Sequence, residues 1–141
     1  MTTSSAARRI EIPVRRKEHT WKPKTPAARL FPTSKFTKGK LNEARALCDK
    51  FVEKTREEAK VMFYGFTFDA DHMHCREGYQ DADGVLARLE NVGELFKEAL
   101  KIADLTRLEV HGRAREVENL RGPLAELKPQ FFTLRDGFRR S

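Results

Sequence analysis

The sequence predicts an α+β domain in the order β-α-β-β-α-β with one added strand, preceded by an extended basic arm. Three observations carry this expectation. Charge is segregated: residues 1–40 hold eleven Lys/Arg against two Glu, a net of +9, whereas residues 41–141 hold seventeen Lys/Arg against nineteen Asp/Glu, a net of −2. Apolar residues recur at helical spacing in separated segments. Between the first two of these, two extended runs are joined by a tight acidic turn, the pattern of a β-hairpin.

The elements follow in order. Leu30 to Phe36 is short and extended, and Thr37-Lys38-Gly39-Lys40 forms the loop after it. Leu41, Ala44, Cys48, Phe51, Val52 and Thr55 then place one apolar face on a helix running to about Glu58. Val61 to Phe68 is almost wholly apolar and aromatic, as a strand covered on both faces requires. Asp69-Ala70-Asp71 makes the turn, and His72 to Tyr79 returns as the second hairpin strand. Asp81 is placed to cap a helix carrying Val85, Leu86 and Leu89. Asn91-Val92-Gly93 interrupts it before Leu95, Phe96, Ala99 and Leu100. Leu105 to His111 is a strand, Glu116 to Leu127 a helix broken by Gly122-Pro123, and Gln130 to Arg135 the last strand.

This order is the split βαβ, ferredoxin-like arrangement with an added C-terminal strand. Helices cover one sheet face. The other face is rich in aromatic and aliphatic residues, too apolar to be left to water, so a symmetric homodimer packed sheet to sheet is expected. The division falls at residues 1–27 for the arm and 28–141 for the domain, and the latter is long enough for one core.

The arm cannot bury enough surface to fold alone. Its cations Arg8, Arg9, Arg15, Arg16, Lys17, Lys22 and Lys24, with Trp21 as the one large apolar anchor, are the candidate partner-binding residues. Ile10-Glu11-Ile12-Pro13-Val14 alternates in a way that suits strand addition to a partner, while Trp21 equally suits folding back onto the protein's own surface. An acidic or grooved protein surface satisfies this charge; DNA or RNA would be bound without sequence preference. The start is acid-poor like a transit peptide, but Pro13, Pro23, Pro26 and Pro32 break any continuous amphipathic helix, and no apolar signal region is present. No run is long enough to span a membrane. Cys48 and Cys75 do not make a disulfide framework, which points to an intracellular, reducing compartment, cytoplasmic or cytoskeletal, with an organelle as the alternative.

Candidate chemistry centres on the strand His72–Tyr79. Alternation puts Cys75, Glu77 and Tyr79 on one face and His72, His74 and Arg76 on the other. Tyr79, Glu77, Asn91 and His74 are the candidate catalytic residues, with Tyr64 as a further pocket liner; such a set could orient a phenol-like substrate and move a proton. The plainer reading pairs Glu77 with Arg76, Arg88 or Arg107 merely to sustain the hairpin. His72-x-His74 has the spacing of a strand metal pair but no third ligand, so no metal is expected. Asp69-x-Asp71 and Asp81-x-Asp83-Gly84 lack the ligand run of a calcium loop and serve as turn and cap. His111, at a strand end, reads as structural. Phosphate-loop, dinucleotide and serine-nucleophile motifs do not occur.

The residues Phe36-Thr37-Lys38-Gly39-Lys40-Leu41, Phe63-Tyr64-Gly65-Phe66, Cys75-Arg76-Glu77-Gly78-Tyr79, Leu89-Glu90-Asn91-Val92-Gly93, Leu108-Glu109-Val110-His111-Gly112 and Pro129-Gln130-Phe131-Phe132 resemble the antibiotic biosynthesis monooxygenase-like family. The resemblance covers roughly residues 28–139 and implies a dimeric α+β barrel; it also allows a substrate carbanion to react with oxygen without a cofactor, and no cofactor is expected. That family includes oxygenases of aromatic polyketides, quinol oxygenases and haem-degrading enzymes, so the fold alone does not choose a reaction. Tyr79 stands where many catalytic relatives have Trp, and Leu100 falls near the place of the haem-degrading branch's helical His, which argues against haem degradation. Two functions follow as expectations. The first is a non-catalytic accessory or scaffold subunit, docked into a larger assembly by its arm. The alternative is a cofactor-independent monooxygenase-like enzyme acting on an aromatic or quinol-like molecule.

Overall fold

The computed structural model describes residues 25–138. The proposed arm contacts at Arg8, Arg9, Arg15, Arg16, Lys17, Trp21, Lys22 and Lys24 lie outside them. A five-stranded sheet has the order β2-β3-β1-β4-β5, built from β1 (Ala28–Phe36), β2 (Val61–Asp69), β3 (His72–Tyr79), β4 (Ala103–Gly112) and β5 (Gln130–Thr133). Four helices are interleaved among the described residues: α1 (Leu41–Thr55), α2 (Ala82–Asn91), α3 (Gly93–Ala99) and α4 (Ala114–Arg121). The first four strands pair antiparallel in the ferredoxin-like order, and β5 joins β4 in parallel at the edge.

Local chemistry explains the boundaries. The chain leaves β1 through Gly39 at φ +84°, a left-handed conformation that suits a residue without Cβ. Asp81 caps α2, its Oδ1 accepting from the Gly84 amide at 2.9 Å while Lys60 Nζ donates to its other oxygen at 2.9 Å. Burial pushes the Asp81 carboxyl up, but the Lys60 and Gly84 hydrogen bonds outweigh it and hold the group below its ordinary value. Val92 leaves helical geometry (φ −105°, ψ 10°), so the helical run breaks into α2 and α3 there.

The helices cover a single sheet face. Tyr79, Val85, Leu108, Val110, Leu120 and Leu124 form the main core, and Phe51, Val92 and Leu95 fill the space between α1 and α3. Each such side chain contributes about 1.5–3 kcal/mol by leaving water. The opposite face carries a ladder of rings: Phe31 stacks on His74 and meets His111 edge-on, and His111 stacks on Phe132 at 4.5 Å. Arg76 lies over the Phe63 ring on that same face.

Candidate active site

Between the sheet and the helices lies a cavity of about 150 Å³. Its walls are hydrocarbon from Leu30, Leu89, Phe96, Leu105 and Leu108, and its polar end is made by Tyr64, Cys75, Glu77 and Arg88. Each polar group arrives by its element's geometry. Tyr64 and Glu77 are cross-strand partners on β2 and β3. Cys75 and Glu77 share a face by the two-residue period of β3. Arg88 enters from the last turn of α2, one turn beyond Val85 and one before Val92, so it occupies a core position of that helix.

Arg88 organises the set. Its side chain is 6% exposed. Nη1 donates to Thr55 Oγ1 at 2.7 Å and Nη2 to the Tyr64 hydroxyl at 2.5 Å. Nε lies 3.5 Å from Glu77 Oε1, and Nη1 lies 3.6 Å from Glu58 Oε2. The guanidinium also sits 4.3 Å above the centre of the Tyr64 ring, a cation–π contact. Thr55 can accept from Arg88 because its own hydroxyl donates to the Phe51 carbonyl at 2.6 Å. Behind Glu77, the Tyr79 hydroxyl donates to Oε1 at 2.5 Å.

Burial raises the Glu77 carboxyl above its ordinary value; the Arg88 charge and the hydrogen bond from Tyr79 oppose that rise. Burial likewise raises the Tyr64 and Tyr79 hydroxyls and the Cys75 thiol, so all three remain protonated at neutral pH. For Arg88, burial works against the charge but Glu77 outweighs it, and the group stays a cation. The Tyr64 oxygen accepts from Arg88, and its own proton is directed to the Cys75 sulfur, the neighbour from which a substrate oxygen would take it over. The cavity therefore presents a carboxyl tuned to exchange protons beside a hydroxyl polarised to donate one.

The solved structure of MupZ from Pseudomonas fluorescens superposes with a TM-score of 0.78 at 43% identity, covering 80% of this chain and 93% of that one. The chain belongs to the MupZ family. A conserved protein from Methanosarcina mazei (TM-score 0.58, 17% identity, 62% of this chain and 93% of that) and an antibiotic biosynthesis monooxygenase (TM-score 0.53, 17% identity, 59% and 92%) share the fold. The MupZ-family fold seen here is thus that of an antibiotic biosynthesis monooxygenase-like domain. No protein-family model and no curated protein matches the chain.

In this MupZ-family chain the four candidate catalytic residues are not brought together. Glu77 lines the cavity, and Tyr79 stands behind it as its hydrogen-bond donor. His74 projects from the other sheet face, stacked on Phe31 with Nδ1 2.9 Å from Thr33 Oγ1, because the alternation of β3 separates it from Glu77. Asn91 is exposed at the end of α2 and reaches the site only indirectly, Nδ2 donating to Glu58 Oε2 at 2.8 Å. Glu77 does pair with an arginine, and of the three considered it is Arg88; Arg76 lies over Phe63 on the other face, and Arg107 binds Glu109. His72 pairs with Asp71 rather than with His74. Among the described residues no three His, Cys, Asp or Glu side chains gather as a metal site would require. Thr55 and Glu58 escaped the sequence reading. A visible signal for the whole network is an arginine within the apolar stripe Val85, Leu89, Val92, a position that only a paired charge tolerates.

Proposed function

We propose that this chain is an enzyme that moves a proton on a small, largely apolar molecule held in the cavity, without a cofactor. The observation that carries this reading is the joining of an apolar cavity to one buried acid–base set, Glu77, Tyr64 and Arg88, at a single end. Glu77 takes the proton from carbon or oxygen of the substrate. Tyr64, polarised by Arg88, donates to the oxygen on which negative charge develops. Tyr79 keeps the Glu77 carboxylate oriented and eases its charge. Cys75 remains a thiol. Where the substrate is an aromatic or quinol-like molecule, the anion so formed can reduce dioxygen and bond to it at a ring C–H carbon; with one proton this gives a hydroperoxide, whose O–O bond breaks with loss of water to leave one oxygen as a ring carbonyl, the monooxygenase-like outcome that the shared fold favours by analogy.

The accessory-subunit reading is supported by charge segregation alone, since the arm's cations precede residue 25. It remains compatible with an active domain, the arm fixing where the enzyme works. The ring-bearing sheet face supports a homodimer, because Phe31, Phe63 and Phe132 would otherwise meet water. Among the described residues no helix is long and apolar enough to cross a membrane.

The test is deuterium incorporation next to the carbonyl of cyclohexanone and 2-heptanone in D2O, followed by NMR. Oxygen uptake with a simple hydroquinone is run beside it. The wild type is expected to accelerate exchange, and Glu77→Gln to lose about a hundredfold or more of that acceleration. A wild type inert toward all three probes, but retained in a large complex only when residues 1–27 are present, sinks the enzyme in favour of the accessory subunit.

A further inference from the structure

The cavity's polar end also restricts the charge of what can enter it. Of the five N–H groups of Arg88, four face partners, Nη1 toward Thr55 and Glu58, Nη2 toward Tyr64 and Nε toward Glu77, and a single Nη2 N–H is left. It has no free pair of N–H groups with which to clasp an incoming carboxylate or phosphate. The polar groups that line the space beside it are a carboxyl, a phenol and a thiol, none of them cationic. Two carboxyls, Glu77 and Glu58, face one guanidinium, so the local charge is zero or negative. An anion would meet Glu77 without a counter-charge and lose its hydration against Leu89, Phe96 and Leu108. An ammonium would find Glu77 already held by Arg88 and would lose its hydration against the same hydrocarbon.

The geometry points to a neutral ligand, an apolar body of roughly six to ten non-hydrogen atoms bearing one hydroxyl, ether or carbonyl oxygen that takes the proton of Tyr64. This substrate class rests on the acid–base reading above. A carboxylic acid enters only after its charge is masked as an ester, thioester or amide, so the reaction must follow or accompany such masking whenever the parent compound is an acid.

The experiment titrates the full chain with four matched probes, hexan-1-ol, methyl hexanoate, hexanoate and hexylamine, reading the amide resonances of Cys75, Glu77 and Gly93 by NMR. The alcohol and the ester are expected to shift these amides, with hexanoate and hexylamine weaker by about tenfold or more. Hexanoate or hexylamine binding as tightly as the alcohol overturns the charge restriction while leaving the cavity a ligand site. If none of the four moves these amides, the proton-transfer reading falls together with the restriction. Glu77→Gln, checked for folding by its amide spectrum, is expected to admit hexanoate at least about fivefold more tightly. An unchanged hexanoate affinity in that folded variant overturns the explanation, and the four-probe comparison on the wild type stands whether or not the variant folds.

Discussion

Replacing Arg88 with methionine preserves an unbranched apolar stem beside Tyr64 and deletes the charge that holds the polar end together. Two unit charges 3.5 Å apart, the Arg88–Glu77 separation, attract by about 5 kcal/mol at an effective dielectric constant near 20. Removing one member of a buried pair typically costs about 3–5 kcal/mol, because the other charge is left stranded. Glu77 can limit that loss by taking up a proton, so we expect a deficit of about 3 kcal/mol near pH 7.5, or a Tm lowered by about 10–15 °C. The limit has a pH signature. Burial places the folded-state value of Glu77 above its unfolded value. Its stabilising contribution is therefore complete below about pH 4.3 and is lost as pH rises through the folded value. Arg88 pulls that folded value down, and its removal lets it rise further. The deficit of Arg88→Met should accordingly grow as pH rises above the ordinary carboxylate range and shrink in acid. Urea unfolding followed by far-UV circular dichroism measures it. Adding Glu77→Gln should restore at least half of the lost stability near neutral pH. A deficit that is flat with pH, and unrelieved in the double variant, would show that Arg88 acts through packing and would refute the reasoning.

Further expectations concern other parts of the fold. Gly112→Ala places a Cβ 2.7 Å from the Ala27 carbonyl oxygen, a backbone atom that cannot swing away, and should cost about 3 kcal/mol in a urea titration. Asp81→Ala removes the α2 cap and should cost about 1 kcal/mol near neutral pH. Because the Asp81 carboxyl is held low, its contribution is present above about pH 3.9 and lost as pH falls through the folded value, so melts in strong acid should show no penalty. Burial pushes the Cys48 thiol up to about 12 and raises Cys75 as well. Neither should react with dithionitrobenzoate near pH 8 until urea is added, and rapid labelling of the native protein would contradict the burial assigned to them.

How much of this was legible in the sequence differs by element. The strand His72–Tyr79 was read to its observed ends because turn residues bound it on one side and the Asp81 cap closes it on the other. The apolar periodicity carries the first helix to about Glu58, whereas the family resemblance places its end at Thr55, where it is found; there the hydroxyl bonds back to Phe51 and Arg88 takes up the oxygen, a contact that periodicity cannot see. The fourth helix begins at Ala114 rather than Glu116, because Ala114-Arg115-Glu116 carries no large apolar side chain to announce it before Val117. The parallel docking of β5 on β4 carries no local signal at all. At the site, period-two alternation was enough to separate Glu77 from His74, yet grouping them by chemical type set that geometry aside. Sought by charge alone, Arg88 is one of three candidate arginines; its place in the apolar stripe Val85, Leu89, Val92 is the signal that separates it from Arg76 and Arg107, which lie on strands.

The third strand, β3, constrains both heredity and engineering. Its even and odd positions carry separate messages on the same eight residues: Cys75, Glu77 and Tyr79 spell the chemistry, while His72, His74 and Arg76 spell the ring-bearing surface. Point substitutions can edit either message without garbling the other. A single-residue insertion or deletion beside Asp69-Ala70-Asp71 that slipped the register would transpose them, turning Arg76 inward and Glu77 outward. The turn should therefore tolerate changes of identity far better than changes of length.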